Sequence, residues 1–213
     1  MNIERAINTC GWMSEVELAY LAECASKSRC IVEIGSWKGR STLALACNTP
    51  GTVYAVDTWK GSEQQGDELK QHPEGWLMEE FKRNTAGLDN IVICEGLSVE
   101  MAKRHMGLTI DMLFIDGYHT YEGVRDDIMA WRPMLRPGGI LCGHDYVPPY
   151  WEGLLRAIRE LVPKFRVIDT MPRVNFFEYQ IVYSTNDVDQ QWALIRFGPA
   201  IAGSNDIPSF VTE

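Results

Sequence analysis

Five short apolar runs, each followed by a stretch with helical spacing, leave this chain few folds to choose from: CIVEIG at 30–35, TVYAVD at 52–57, NIVICEG at 90–96, DMLFIDG at 111–117 and GGILCGHDY at 138–146. Runs that are apolar throughout, instead of alternating, belong to strands covered on both faces. Strand–helix alternation of this kind builds a doubly wound α/β sheet that is mostly parallel, with helices on both faces. Ahead of the first run, Ser14 with Glu17 three residues on makes a capping box for a helix through about Ala25. The stretch EGVRDDIMAWRPMLRPGG carries Val124, Ile128 and Trp131 at helical spacing, then Pro133, Pro137 and a Gly-Gly turn into the fifth strand. After Pro163, FRVID, NFFEYQIVY and QQWALIRF read as closing strands, and the tail from Gly203 as irregular.

A chain of 213 residues, 46% of them hydrophobic, is most simply one domain over 1–213, with 1–28 a helical N-terminal segment. The polar connection at 59–76 has too few apolar residues for core and reads as a lid or a surface loop. The apolar runs are too short to span a membrane, and MNIERAINTCGW lacks the basic start and apolar stretch of a signal peptide, so a cytoplasmic protein is expected. A net charge of −9 disfavours nucleic acid, which is bound largely through clustered Lys and Arg, and leaves a small molecule as the expected partner. Six cysteines without a C-x-x-C pair read as reduced core residues.

The turn after the first strand, Gly35-Ser36-Trp37-Lys38-Gly39, narrows the ligand. A dinucleotide fingerprint needs glycine where Trp37 stands, so that a pyrophosphate can approach the backbone. A P-loop needs four residues between its glycines, followed by Lys; here there are three, followed by Arg40. What remains is a strand bearing the acid Glu33, a glycine turn, a helix N-terminus, and a second acid, Asp57, closing the next strand. Such a site suits a carboxylate, an amino group and ribose hydroxyls. S-adenosylmethionine (SAM) presents all three without a phosphate.

With VEIGSWKGRSTLALA, VYAVDTW and LFIDGYHTYEGVRDDIMAWRPMLRPGGILCGHDY in view, the chain resembles class I SAM-dependent methyltransferases, in the small-molecule branch that holds sugar and macrolide O-methyltransferases. The resemblance implies a seven-stranded sheet in the order 3-2-1-4-5-7-6 with an antiparallel seventh strand. It implies that Glu33, Gly35 and Gly39 hold the methionine end of SAM, Asp57 the ribose, and Ser98 the neighbourhood of the adenine, with Ser36, Ser41, Thr58 and Asp116 completing the cofactor set. In such relatives two acidic blocks after the fourth and fifth strands hold Mg²⁺, and a His three residues past the first acid is the general base. Asp116, Asp145 and His119 match that scheme. His144 stands where those relatives carry Glu, and a hard cation prefers carboxylate to imidazole. The candidate metal set is thus Asp116, His144 and Asp145, for Mg²⁺ or another divalent cation, and the catalytic pair is His119 with Asp116.

The expected activity is methyl transfer to a hydroxyl of a small molecule such as a sugar, a polyketide or a phenol, by a chain that is a candidate homo-oligomer. A hydroxylase-like enzyme on the same scaffold and a non-catalytic SAM-binding protein are the alternatives. Asp57 could instead cap its turn, and His144 could simply bond a loop backbone. Trp12, Met13, Tyr118, Tyr121 and Trp151 are candidates for an acceptor pocket or for core.

Overall fold

The computed structural model describes residues 1–61, 66–145, 151–162, 166–167, 178–186 and 189–197. It falls into two units, Met1–Leu108 and Thr109–Glu213.

The first unit runs α1 (Glu4–Ile7), α2 (Glu15–Ser26), β1 (Cys30–Ile34), α3 (Arg40–Ala46), β2 (Thr52–Asp57), α4 (Gly66–Leu69), α5 (Trp76–Thr85), β3 (Ile91–Glu95) and α6 (Ser98–Arg104). Its strands are parallel in the order β3-β2-β1, with Ile31 opposite Val53 and Val56 opposite Cys94. Ile31, Val32, Val53 and Ala55 are sealed from solvent, as uninterrupted apolar strands require. The capping box forms as the sequence predicts: Glu17 N–H donates to Ser14 Oγ at 3.3 Å, and the Glu17 carboxylate takes the Ser14 N–H. The segment 59–76 begins differently from expectation. Trp59 is core, packed with Ala55, Leu77, Met78 and Phe81, because an indole at the end of β2 can fold back over the apolar face of α5. Further along, α4 brings Glu68 to Lys38 at 2.6 Å.

The second unit holds β4 (Ile110–Ile115), α7 (Tyr121–Trp131), β5 (Leu135–Gly143), α8 (Glu152–Leu161), β6 (Arg166–Val167), β7 (Glu178–Asn186) and β8 (Asp189–Phe197). Parallel β4 and β5 place Phe114 opposite Cys142. Here β5 starts at Leu135, earlier than the Gly-Gly turn suggests. The register breaks between Ile110 opposite Leu135 and Met112 opposite Ile140, so the strand passes Pro137, which has no N–H to give, and Gly138, at φ 73°, as an irregularity. The antiparallel strand expected next to β5 is β7, with Leu141 opposite Tyr183, and the order in this unit is β4-β5-β7-β6. The expected total of seven strands is not met. QQWALIRF forms an eighth strand, β8, antiparallel to β7 with Asn186 opposite Asp189; three apolar runs in a row do not by themselves say which of them pair. The tail from Gly203 lies outside the described residues.

All six cysteines are free; Cys24, Cys94 and Cys142 are buried, while Cys10 is exposed and is not core as the sequence suggested. No helix among the described residues is long and apolar enough to cross a membrane.

Candidate active site

In the first unit, β1 ends at Ile34 and the chain reverses between two glycines in the left-handed region, Gly35 at φ 88° and Gly39 at φ 89°. Gly35 N–H reaches Val56 O at 2.9 Å, and Gly39 N–H reaches Ser36 O at 2.8 Å. A side chain at Gly39 would suffer that φ and also stand 3.1 Å from Thr85 Cγ2. Between the glycines, Trp37 adopts φ 47°, a conformation that costs an ordinary L residue roughly 1–2 kcal/mol. Asp57 holds it there. One carboxylate oxygen accepts Trp37 N–H at 2.8 Å and the other accepts Trp59 N–H at 2.7 Å, and Trp59 is itself at φ 47°. Burial pushes the Asp57 carboxyl up, against the pull of these backbone N–H groups.

Asp57 is therefore the cap of its turn. It is also only half-buried, with the backbone N–H groups of Ser36 and Thr58 acting on the same carboxylate. Glu33 is fully buried on β1 and accepts the hydroxyls of Ser36, at 2.7 Å, and of Thr42. Ser36 thus stands behind Glu33 as its support. Ser41 is buried in the first turn of α3, and half-buried Thr58 accepts Lys60 N–H at 3.3 Å. Ser98 opens α6, close behind Gly96, whose N–H donates to Asp57 O at 2.9 Å.

In the second unit, Asp116, His119, His144 and Asp145 gather just beyond the carboxyl ends of β4 and β5. His144 N–H bonds Ile115 O at 3.1 Å, so its backbone continues the β4–β5 pairing. Its Nδ1 lies 3.1 Å from Asp145 Oδ1 and 3.6 Å from Asp116 Oδ1. One ligand atom from each of Asp116, His144 and Asp145 falls within 4.8 Å of the others, a spacing a metal ion could bridge. His119 Nε2 sits 2.9 Å from Asp145 Oδ2, in ion-pair contact but off the line of a straight hydrogen bond. Asp145 reaches both imidazoles from a left-handed backbone at φ 65°, a conformation Asp tolerates better than most residues. Burial raises its carboxyl, but the charges and hydrogen bonds of His144 and His119 prevail and hold it well below the usual carboxylate range. For His119 burial again acts first, lowering it; the close carboxylate of Asp145, with the charge of Asp116, outweighs that and leaves it above its ordinary value.

Two residues here carry no motif. Trp151, just before α8, lays its ring against His119 with centroids 4.4 Å apart. Gly153 allows α8 to come that close, because a Cβ there would stand 2.6 Å from Tyr121 N. Tyr121 itself turns to α8, its hydroxyl donating to Glu160 at 2.5 Å, and Tyr118 is exposed.

A family model described as a methyltransferase domain matches residues 32–146, more than half of the chain. The chain belongs to the methyltransferase domain family. This methyltransferase domain has a curated relative, an uncharacterised protein of Sinorhizobium fredii, 31% identical over 138 residues; the match takes in 57% of this chain and 13% of the relative's own length. Solved structures share its fold at lower identity. A putative O-methyltransferase from Klebsiella pneumoniae has a TM-score of 0.57 at 17% identity, covering 90% of this chain and 83% of that one. A Streptomyces achromogenes O-methyltransferase involved in tomaymycin synthesis, in complex with SAM, gives 0.56 at 15% identity over 85% and 78%. An O-methyltransferase from Bacillus cereus, in complex with S-adenosylhomocysteine (SAH), gives 0.54 at 19% over 89% and 87%. The methyltransferase domain is thus an α/β Rossmann-like fold with a parallel sheet and flanking helices.

Proposed function

We propose that this methyltransferase domain, a single domain over 1–213, transfers a methyl group from SAM to a hydroxyl of a small molecule. The observation that carries the reading is the contact of His119 with Asp145, 2.9 Å apart on the rim where open α/β sheets bind their ligands. The solved relatives bound to SAM and SAH support the cofactor.

The residues of the glycine turn fit that cofactor. Gly35 and Gly39 give close backbone approach for its methionine end, Glu33 supplies a fixed buried carboxylate behind the turn, and half-buried Asp57 closes the next strand with a carboxylate for ribose hydroxyls. When bound, SAM supplies an electrophilic methyl group on a sulfonium. The chain's own task is to ready the acceptor oxygen. Asp145, ionised at neutral pH, favours a proton on His119 Nε2 and so leaves Nδ1 with the lone pair that takes the hydroxyl proton. Trp151 restrains the ring and shields it from water.

A second reading adds a divalent cation on Asp116, His144 and Asp145, which would lower the hydroxyl pKa. One imidazole with two carboxylates suits Mn²⁺ or Fe²⁺ at least as well as Mg²⁺. Transfer of label from methyl-labelled SAM to a panel of sugars, polyketides and phenols tests the main reading. No transfer to any of them, from protein that binds SAH, would leave a non-catalytic SAM-binding protein.

A further inference from the structure

The tryptophans around the glycine turn point to the acceptor. Trp12 is 58% exposed, while the next residue, Met13, is 4% exposed. Its ring meets that of Trp37 at 5.5 Å between centroids and 42° between planes, an inclined pair that leaves indole surface open to solvent. Trp37 belongs to the turn itself, and its main chain is fixed on both sides: Asp57 takes its N–H, and Trp59 Nε1 donates to its carbonyl at 2.9 Å.

Trp12 is held as firmly from the other direction. Arg40 donates to Met13 O and Ile7 O, both at 2.8 Å, to Ala6 O at 3.1 Å and to Thr9 O. Gly11 lets this guanidinium arm pass, since a Cβ there would stand 2.7 Å from Arg40 Cδ. The backbone on either side of Trp12 is thus tied down, and the indole is left in water. An exposed aromatic on a rigid mount is the usual form of a stacking surface.

We infer that Trp12 and Trp37 form a shelf that stacks the flat, uncharged aromatic ring of the acceptor beside the cofactor turn. The inference rests on the methyltransferase reading above. Charge selects against other occupants. Lys38 Nζ lies 5.3 Å from the Trp37 ring but is already taken by Glu68 at 2.6 Å, so it offers no spare cation for a carboxylate or phosphate. The chain's net charge of −9 also repels anions. A sugar needs several polar groups converging on its hydroxyls, whereas a phenol needs one polar site and a flat apolar face.

Calorimetric titration of the full chain loaded with SAH, using 2-naphthol and methyl β-glucoside as probes, tests this. The naphthol binds the native chain, Trp12→Ala weakens it at least tenfold, and Trp12→Phe stays within about threefold, because a stacking face survives. The glucoside shows no affinity that depends on Trp12. Naphthol that fails to bind, or binds Trp12→Ala as well as the native chain, overturns the shelf. So does glucoside binding that is lost in Trp12→Ala, or a dimer of the native chain that dissociates in that variant, which would make the indole an interface between copies. SAH binding is read first in every variant. If SAH does not bind the native chain, the methyltransferase reading fails; if it binds and naphthol does not, only the shelf fails.

Discussion

The indole N–H of Trp59 donates to the backbone carbonyl of Trp37 at 2.9 Å, joining two tryptophans that share a left-handed φ of 47°. Asp57 stands between them and accepts both backbone N–H groups. Two conformations unfavourable for bulky residues are thus stabilised by one carboxylate and one ring nitrogen, and together they set the shape of the glycine turn.

Asp57→Ala leaves two N–H groups without their charged acceptor. A loss of about 3 kcal/mol in stability is expected from urea unfolding, since a hydrogen bond to a charged group contributes roughly 1.5–3 kcal/mol. SAH affinity should fall at least tenfold in the folded variant. Unchanged affinity would leave Asp57 a turn cap alone.

Trp59→Phe separates packing from hydrogen bonding. The ring against Phe81, now 4.9 Å between centroids, is largely kept, while the donor to Trp37 O is removed. A cost of about 1–2 kcal/mol is expected, visible as a lower urea midpoint at constant slope. A neutral result would show that Asp57 suffices to hold Trp37.

His119 gives a pH signature with opposite signs for activity and stability. Its pKa is raised above the ordinary 6.5 because Asp145 and Asp116 outweigh burial, so a base at this position becomes active only as pH rises through that higher value. The stability it draws from the pair is fully present below 6.5 and is lost as pH rises through the folded pKa. Asp145, with its pKa lowered from 3.8, contributes above that value and loses its contribution as pH falls toward the folded pKa. His119→Ala should slow turnover by about 10²–10⁴-fold and flatten the pH–rate profile near neutrality. Full activity in that variant would remove His119 from the chemistry.

Chelation separates base from metal. If a cation is essential, a chelator abolishes turnover, added Mg²⁺ or Mn²⁺ restores it, and Asp116→Ala and Asp145→Ala are equally damaging. With His119 acting alone, a chelator does little and Asp145→Ala harms more than Asp116→Ala, since Asp145 contacts the His119 ring nitrogen directly, at 2.9 Å.

The connection from Lys60 to Trp76 is tied to the turn through Glu68, paired at 2.6 Å with a Lys38 that is nearly sealed from solvent. Glu68→Gln should speed amide exchange over 66–76. If the segment closes over ligands as a lid, exchange there slows when SAH and an acceptor bind; equal protection in both states makes it a surface loop.

The strands were legible as continuous apolar words, and β2 is TVYAVD to the residue, but the cover such words predict on both faces is not complete: β3, which among the described residues pairs only with β2 in its unit, leaves Val92 and Ile93 exposed. The gathering of Asp116, His119, His144 and Asp145 was legible because two neighbouring strand runs end in those blocks, and Asp57 because it closes a third. Much of what fixes the turn was not. The bonds holding Trp37 are made by backbone N–H groups and one indole nitrogen, which look the same in every sequence context. Trp59 reads as the start of a polar loop, yet it folds back into the core, and only tertiary packing reveals that. Trp151 meets His119 because Gly153 is bare, a steric fact with no periodicity.

Arg40, one residue past Gly39, ties its guanidinium to carbonyls of residues 6, 7, 9 and 13. The loss of backbone freedom in that segment, about 1–2 kcal/mol per residue, is therefore met when the chain folds and not when a ligand arrives. A binding wall assembled in advance can change its preferences by exchanging single side chains, with the frame left as it is. New acceptors would then come within reach through substitutions at Trp12 or its neighbours, without insertions or a looser loop.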